Sequence, residues 1–465
     1  MKLCDFYQSL LHNNQDWYDV DDFIGDLESK YVAFDSITTE QDLENHILQN
    51  HNNVLHKYSA YLKRRSDGGK RELFVDKLHA KWFILQISPT KLVDGAWLRN
   101  VALLPSSATK DSLLRVYLDE IGQYDEKVVT KSKESQNHVD IYLNLLQSLY
   151  NDINRVEDVI YHPLLHKDND IFLPGCIQLA LGAYPEEFLP EIVGYNLGYE
   201  QLPLHLLITA YELKELGIDS TYFDVHVAVD NFHCGHAHLA LKAAKTLLEN
   251  TDKSIKKSVF HRILVGFHLS DIVSDGDRAK QYDLKNIVNT LLQQKAEKSH
   301  SLHDTVGVVD NEFSSLGELM RHDSSDLYSL MEKSGYLEGK SFKDTRFGQI
   351  LQDKMIGTFT RDELDFVENL FDTKGEHDET AIADRICVLF SPVIHKHRKI
   401  LMTHPETGEQ NTMDEWFNKD QVAFLTCLST KEMKERTLES FLHGRMKNIK
   451  MTAQDKEFIL HWLRE

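Results

Sequence analysis

"LHLLITAYELKELGIDSTYFDVHVAVDNFHCGHAHLAL", from Leu204 to Leu241, is the stretch that decides the fold class of this chain. Apolar residues recur in it at the i, i+3 and i+4 spacing of an amphipathic helix. Gly217 is typical of a helix C-terminus, and Asp219 or Ser220 can cap the N-terminus of the next helix. We therefore predict two consecutive antiparallel helices joined by a tight turn.

The same helical spacing extends over most of the chain. It recurs in "SLLRVYLDEIG", "VDIYLNLLQSLYNDI" and "KEFILHWLRE". Prolines number 9 and glycines 22 among 465 residues, below the average usage of about 5% and 7%. Strand alternation is weak and confined to "KYVAF" near Tyr31 and "ICVLFSPVI" near Val388. The sequence predicts an all-α protein.

The composition limits the classes of binding partner and the cellular compartment that we expect. The formal net charge is −21, and an acidic chain repels phosphate backbones and anionic lipid, so we expect neither nucleic acid nor a membrane as partner. No apolar run approaches the roughly 18 residues of a membrane span, and the N-terminus does not resemble a signal peptide. The five cysteines are scattered without a CxxC pair. These features favour free thiols in a reducing cytoplasm.

The region from His226 onward carries a histidine-rich helix face. At about 100° per residue, His226, Asp230 and His233 share one face about 60° wide. His236 lies at the edge of that face, and a bulge in the helix would bring it inward, whereas His238 points away. Two imidazoles and one carboxylate on one face form the mixed N/O ligand set that iron, manganese or zinc accepts. We predict a metal site.

One helix cannot complete such a site, so neighbouring helices must add ligands, usually glutamates. The preceding helical segment offers Glu191, Glu200 and Glu212. Antiparallel pairing across the Gly217 turn makes Glu200 the best placed of the three. Glu191 is the fallback if Pro203 distorts the helix, and Glu212 is predicted to be exposed.

Four segments together resemble the iron-containing redox enzymes of the haem-oxygenase-like diiron oxidase superfamily. They are "SPTKLVDGAWLRN", "YLDEIG" with "NHVDIYLNLL", "PEIVGYNLGYEQLPLHLL", and "ELGIDSTYFDVHVAVDNFHCGHA". The resemblance covers roughly residues 80–250 and implies a haem-oxygenase-like helical bundle. It also implies a ligand set of Glu120, His138, Glu200 (or Glu191), His226, Asp230 and one of His233 and His236.

The resemblance implies a non-haem diiron oxidase or oxygenase that binds two Fe²⁺ ions, with O₂ as co-substrate. The expected substrate is a small organic molecule, amino-acid-like or fatty-acid, and no catalytic residue is assigned beyond the metal ligands. Lys91 is a candidate contact for a substrate carboxylate in a segment where Pro89 and Gly95 break the helical pattern. Tyr199 and Tyr211 are candidate lining residues. An external electron donor and a homodimer are left open as partners.

Three regions follow from the patterns and the resemblance. Residues 1–295 are expected to form the bundle, with additional N-terminal helices and the motif-bearing core at about 80–250. Residues 296–312, "AEKSHSLHDTVGVVDNE", lose helical periodicity and are interpreted as a linker or lid. Residues 313–465 are expected to be a C-terminal helical extension.

Two other functions remain open from the sequence. The doublets His303–Asp304, His322–Asp323 and His377–Asp378 are of the kind that all-α metal-dependent phosphohydrolases use, although each stands in a polar, turn-like context. The bundle could also be a non-catalytic haem-binding, ligand-binding or regulatory protein.

Overall fold

The computed structural model describes residues 2–31, 37–67, 69–122, 137–165, 169–229, 235–299, 316–321, 326–353 and 357–375, with short pieces between 401 and 415. These residues are almost entirely helical. The exception is one antiparallel hairpin of β1 (Leu401–Thr403) and β2 (Gln410–Thr412). The predicted all-α class is confirmed. The predicted strand near Val388 lies outside the described residues, as does most of the one after Tyr31.

The chain divides into two compact units, Met1–Tyr282 and Asp283–Glu465. The α-helices of the first unit are α1 (Leu3–Leu11), α2 (Trp17–Tyr31), α3 (Glu40–Ser66), α4 (Lys77–Lys91), α5 (Ala108–Glu120), α6 (His138–Leu149), α7 (Val156–Ile160), α8 (Leu173–Ala183), α9 (Leu189–Tyr199), α10 (Leu204–Glu215), α11 (Thr221–Val229), α12 (His236–Glu249), α13 (Lys256–Leu269) and α14 (Asp275–Ala279).

The second unit contains α15 (Leu284–Ser299), α16 (Leu316–Arg321), α17 (Leu327–Lys333), α18 (Arg346–Asp353), α19 (Arg361–Gly375) and the hairpin. Within it, α15 packs against α16, α17 and α19. Lys295 of α15 pairs with the buried Glu363 of α19 at 2.7 Å. The unit therefore begins at α15, although the sequence analysis grouped most of this helix with the bundle. The predicted boundaries at 295 and 312 stay a prediction.

Helix α4 is the most deeply buried helix of the first unit, since every residue from His79 to Lys91 is buried. It continues through Pro89, which the sequence analysis expected to break it. Proline lacks the N–H that would bond the carbonyl four residues earlier, here that of Leu85. Ser88 Oγ donates to this carbonyl instead, at 2.5 Å. The helix therefore ends only at Lys91.

Glycines allow α9 and α13 to pack backbone to backbone. A Cβ on Gly194 of α9 would lie 1.8 Å from the carbonyl oxygen of Ile263. A Cβ on Gly266 of α13 would lie 1.9 Å from the carbonyl oxygen of Glu191. Neither contact is sterically feasible, so the packing requires both glycines.

The predicted helical segment from Pro190 to Gly217 is two helices, α9 and α10. Pro203 stands between them in an extended conformation, as the N-cap of α10. A proline cannot donate into a helix and restricts the residue before it, and this accounts for the break. No helix in the described part of the chain has both the length and the apolar character needed to cross a bilayer.

Candidate metal centre

Helix α5 carries Glu120 into the interior of the first unit. The helix begins at Ser107, whose side chain accepts from the backbone N–H of Lys110. It ends at Glu120, just before Gly122 with φ +72°, which is the left-handed stop usual after a helix. Glu120 is 3% exposed.

Helix α6 presents His138 directly opposite Glu120. Asn137 caps this helix by accepting from the N–H of Asp140 at 2.6 Å, which makes His138 the first helical residue. His138 Nδ1 lies 2.6 Å from Glu120 Oε2, and both side chains are buried. The structure thus brings the first predicted pair into direct contact.

Helix α11 adds His226, and the turn after α4 adds Asp94. His226 Nδ1 lies 2.8 Å from the carbonyl oxygen of Tyr222, and its Nε2 lies 3.1 Å from Asp94 Oδ2. One ligand atom each from Asp94, Glu120, His138 and His226 lie within 4.8 Å of one another, and all four residues are buried. This is the first ligand group.

A second ligand group shares Glu120. It contains Glu200, which follows the last residue of α9, and His236, the first residue of α12. His236 Nδ1 lies 3.1 Å from Glu200 Oε2 and 3.5 Å from Glu120 Oε1. Again the three ligand atoms lie within 4.8 Å of one another. The preference for Glu200 agrees with this placement.

The structure corrects the prediction of one continuous histidine helix. α11 ends at Val229, and Gly235, in an extended conformation, is the N-cap of α12. His236 therefore enters from a new helix and not through a bulge in the old one. Asp230 and His233 lie outside the described residues, so their ligand roles stay predictions. His238 is exposed, as the helical wheel predicts.

Two further predictions about side chains, for Glu191 and Glu212, were wrong. The fallback ligand Glu191 forms a bidentate ion pair with Arg262, at 2.5 and 2.6 Å, and is not part of either ligand group. Tyr211 packs edge-to-face on Tyr61 of α3, with ring centroids 5.6 Å apart, and its role as a lining residue stays a prediction. Glu212 is fully buried, where it accepts from three consecutive backbone N–H groups.

The two remaining candidates, Lys91 and Tyr199, lie next to the first ligand group. Lys91 Nζ lies 3.0 Å from Asp275 Oδ2 of α14 and 3.4 Å from the hydroxyl of Tyr199. Its charge is among the influences on the pKa of Asp94. Lys91 therefore already binds one carboxylate of this chain.

Burial and neighbouring charges shift the pKa values of the two carboxyl groups of the first ligand group in opposite directions. Burial raises the pKa of Glu120, and the negative charge of Asp94 raises it further, against the opposing effect of His138. Burial alone would also raise the pKa of Asp94, but a protonated His226 that donates to it, and the charges of Lys91 and His138, lower this pKa below the ordinary value. Two buried acids this close repel each other and require compensating positive charge.

Two residues of this candidate site, Asp94 and Tyr222, were not predicted from the sequence to belong to it. The hydroxyl of Tyr222 donates to Asp94 Oδ2 at 2.5 Å. The available clue was an acid between apolar residues in "LVDGAWL", immediately before a glycine suited to a tight turn. The three His–Asp doublets of the phosphohydrolase alternative lie wholly outside the described residues.

The fold and the site define a class. An all-α bundle with buried histidines and carboxylates from several helices is typical of metal-dependent helical enzymes. Residues 81–270 match the model of a family described as iron-containing redox enzyme, a segment from α4 to the end of α13. The resemblance predicted from the sequence is confirmed for this segment, as is the haem-oxygenase-like bundle, and the description of the family supports an iron-dependent redox role. No curated protein and no solved structure shows significant similarity to the chain.

Proposed function

We propose that this protein is a non-haem diiron oxidoreductase that activates O₂ to oxidise a small organic substrate. The observation that carries the proposal is the position of Glu120. This carboxylate belongs to both ligand groups, and a glutamate has two oxygens with which to bridge two metal ions. Its Oε2 contacts His138, whereas its Oε1 faces His236.

The donor chemistry of the site fits iron. Imidazole nitrogen and carboxylate oxygen together are a common ligand set for Fe(II). In the described part of the molecule, Asp94 Oδ1 is buried without a donor in hydrogen-bond geometry, and His138 Nδ1 and Glu120 Oε2 lie 2.6 Å apart beside it in the same ligand group. A cation among these atoms would be bound by nitrogen and oxygen atoms that are already close together and shielded from solvent.

The chain's own residues orient the ligands. His226 donates its Nδ1–H to the carbonyl of Tyr222. The lone pair of Nε2 is therefore directed into the first ligand group. Asn137 and Ser107 fix the helix ends that present His138 and Glu120. When bound, two Fe(II) ions would supply electrons for the reduction of O₂.

The remaining parts of the proposal concern ligands and substrate. Asp230 is proposed to join the ligand set, and of His233 and His236, one of which the resemblance implies, His236 is the proposed ligand because it lies in the second ligand group. The substrate class remains a small organic molecule, amino-acid-like or fatty-acid, with electrons from an external donor or from the substrate itself. A substrate carboxylate would reach Lys91 only by displacing Asp275, since these two side chains form an ion pair.

Anaerobic titration with Fe(II) tests the proposal. We expect the full chain to bind about two Fe(II) ions, and brief exposure to O₂ to produce an optical change. Glu120→Gln should weaken the binding of both Fe(II) ions, because the substitution removes the carboxylate that the two ligand groups share. His226→Ala should weaken chiefly the binding of one ion.

Glu191→Gln is the matched control, because Glu191 is a buried glutamate outside both ligand groups. This variant should still bind about two ions. Binding of a single ion by the wild type, or a Soret band in the purified protein, would contradict the diiron assignment. Full retention of both ions in Glu120→Gln would contradict the bridging role.

A further inference from the structure

Asp94 reaches the metal centre through a glycine turn that sequence periodicity does not reveal. It follows α4 and precedes Gly95, which has φ +78° and leads into the short 3₁₀ turn Ala96–Leu98. A Cβ on Gly95 would lie 2.9 Å from Glu120 Cβ. The turn can therefore approach the end of α5 only because residue 95 has no side chain.

The two carboxylate oxygens of Asp94 have different surroundings. Oδ2 accepts from the hydroxyl of Tyr222 at 2.5 Å and also faces His226 Nε2. Oδ1 is buried and, among the residues that the structure describes, meets no donor in strict hydrogen-bond geometry, with the hydroxyl of Tyr199 also close to Asp94. The side chain of Asp94 is 0% exposed, so bulk solvent does not reach it.

The contact between Asp94 and His226 lacks a donor when the imidazole is neutral. The carbonyl of Tyr222 can only accept, so it takes the proton of His226 Nδ1, and the neutral ring then presents a lone pair at Nε2. That lone pair faces the oxygen of an ionised carboxylate 3.1 Å away. Two acceptors in this position require a proton or a metal cation between them.

The neighbouring groups favour the metal cation. His138 and Glu120 meet in the same group, with Nδ1 of the imidazole 2.6 Å from Oε2 of the carboxylate. A single proton on His226 would satisfy one contact, whereas one metal ion would engage all four ligand atoms, which lie within 4.8 Å of one another.

We propose that Asp94 is a further carboxylate ligand of the iron on the His138–His226 side, oriented by the hydroxyl of Tyr222. The inference rests on the proposed function and adds one ligand to the set that the resemblance implies. Within the described structure, the first site has four protein ligands, Asp94, Glu120, His138 and His226, and the second has three, Glu120, Glu200 and His236.

Titration with Co(II) tests Asp94 by a readout independent of turnover, since the visible absorption of Co(II) reports its ligands. The wild type should bind about two Co(II) ions. Asp94→Asn should bind one of them at least tenfold more weakly, with an altered visible band, while the other ion binds as in the wild type. Asp94→Glu, which keeps a carboxylate, should restore part of the loss.

Tyr222→Phe gives a second test that does not remove the carboxylate. Loss of a group that orients a metal ligand typically weakens metal binding by about 10- to 100-fold, so one Co(II) ion should bind at least tenfold more weakly. Tyr142→Phe is the matched control. Tyr142 is also buried and packs 4.7 Å from Tyr222, but its hydroxyl donates to the backbone carbonyl of Ile84. This control should bind Co(II) as the wild type does.

The two proposals fail in different ways. If the wild type binds neither Co(II) nor Fe(II), the proposed function is wrong. If the wild type binds two ions and Asp94→Asn binds both with unchanged affinity and spectrum, the role of Asp94 alone is overturned. If Asp94→Asn does not fold, as judged by far-UV circular dichroism, unchanged Co(II) binding by Tyr222→Phe overturns it instead.

Discussion

Two buried histidines show how the partner of the second ring nitrogen determines the role of an imidazole. His79 and His226 each have one ring nitrogen at a backbone carbonyl, of Ala279 and Tyr222 respectively. The second nitrogen of His79 accepts from the N–H of Val75 at 3.3 Å, so the neutral ring is fully satisfied. The second nitrogen of His226 faces a carboxylate oxygen instead. The first arrangement is structural, whereas the second is suited to a cation.

At the residue scale, the surroundings of His79 predict a loss of stability in mild acid. Burial lowers the pKa of His79 below its ordinary 6.5, against a smaller opposing effect of the Ala279 carbonyl. The unfolded state therefore binds the proton more readily than the folded state. The stabilising contribution is complete above pH 6.5 and is lost as the pH falls below that value.

Urea unfolding of the apo-protein at pH 7.5 and pH 5.5 measures this contribution. We expect His79→Gln to show a smaller drop in unfolding free energy between the two pH values than the wild type. His56→Gln serves as the control, because His56 is exposed on α3. All other histidines are common to the three proteins, so their contributions cancel in the comparison. Equal drops in the wild type and His79→Gln would contradict the role of His79.

At the element scale, the close contact of α9 and α13 positions the end of α9, where Glu200 lies. Helices normally pack 8–10 Å apart, depending on the side chains between them. Here Gly194 and Gly266 leave backbone against backbone. The obstacle to a side chain is a carbonyl oxygen, which cannot rotate away, so a larger residue must move a whole helix.

Gly266→Ala should therefore destabilise the protein although alanine favours helices. Overpacking of this kind costs about 1–3 kcal/mol or more, and chemical denaturation measures the difference. Gly25→Ala in α2 is the matched control, because a Cβ there meets nothing within 4 Å. That variant should be unchanged or more stable by about 0.5–1 kcal/mol. A stability of Gly266→Ala equal to that of Gly25→Ala would contradict the packing argument.

Sequence patterns predicted the helices of this fold more readily than the contacts between them. Periodicity is local, so it identified the helices, whereas Glu120 and His138 were named only through the resemblance. It could not reveal that Glu191 meets Arg262, a residue 71 positions away. The approach of Asp94 to Glu120 likewise depends on how α4, α5 and α11 pack. The helix break before His236 arises at Gly235, which the helical wheel treated as one position in a continuous helix.

At the scale of the whole molecule, both candidate ligand groups found among the described residues lie in the first unit. The family match ends at residue 270, and the unit itself ends at Tyr282. Helix α15 follows directly, but its apolar residues are buried against helices of the second unit. The metal centre and the second unit are therefore separable in sequence.

A chain that ends at Tyr282 tests this separation. We expect residues 1–282 to unfold cooperatively and to bind about two Fe(II) ions anaerobically, as the full chain does. Extension to Ser299 should add no stability, because Ile287, Leu291 and Leu292 would lose the neighbours that bury them; the longer chain should aggregate more readily. Thermal unfolding, light scattering and iron titration of both chains measure these outcomes. A folded 1–282 chain without iron binding would show that the second unit contributes to the centre. A clearly more stable 1–299 chain would show that α15 belongs to the bundle.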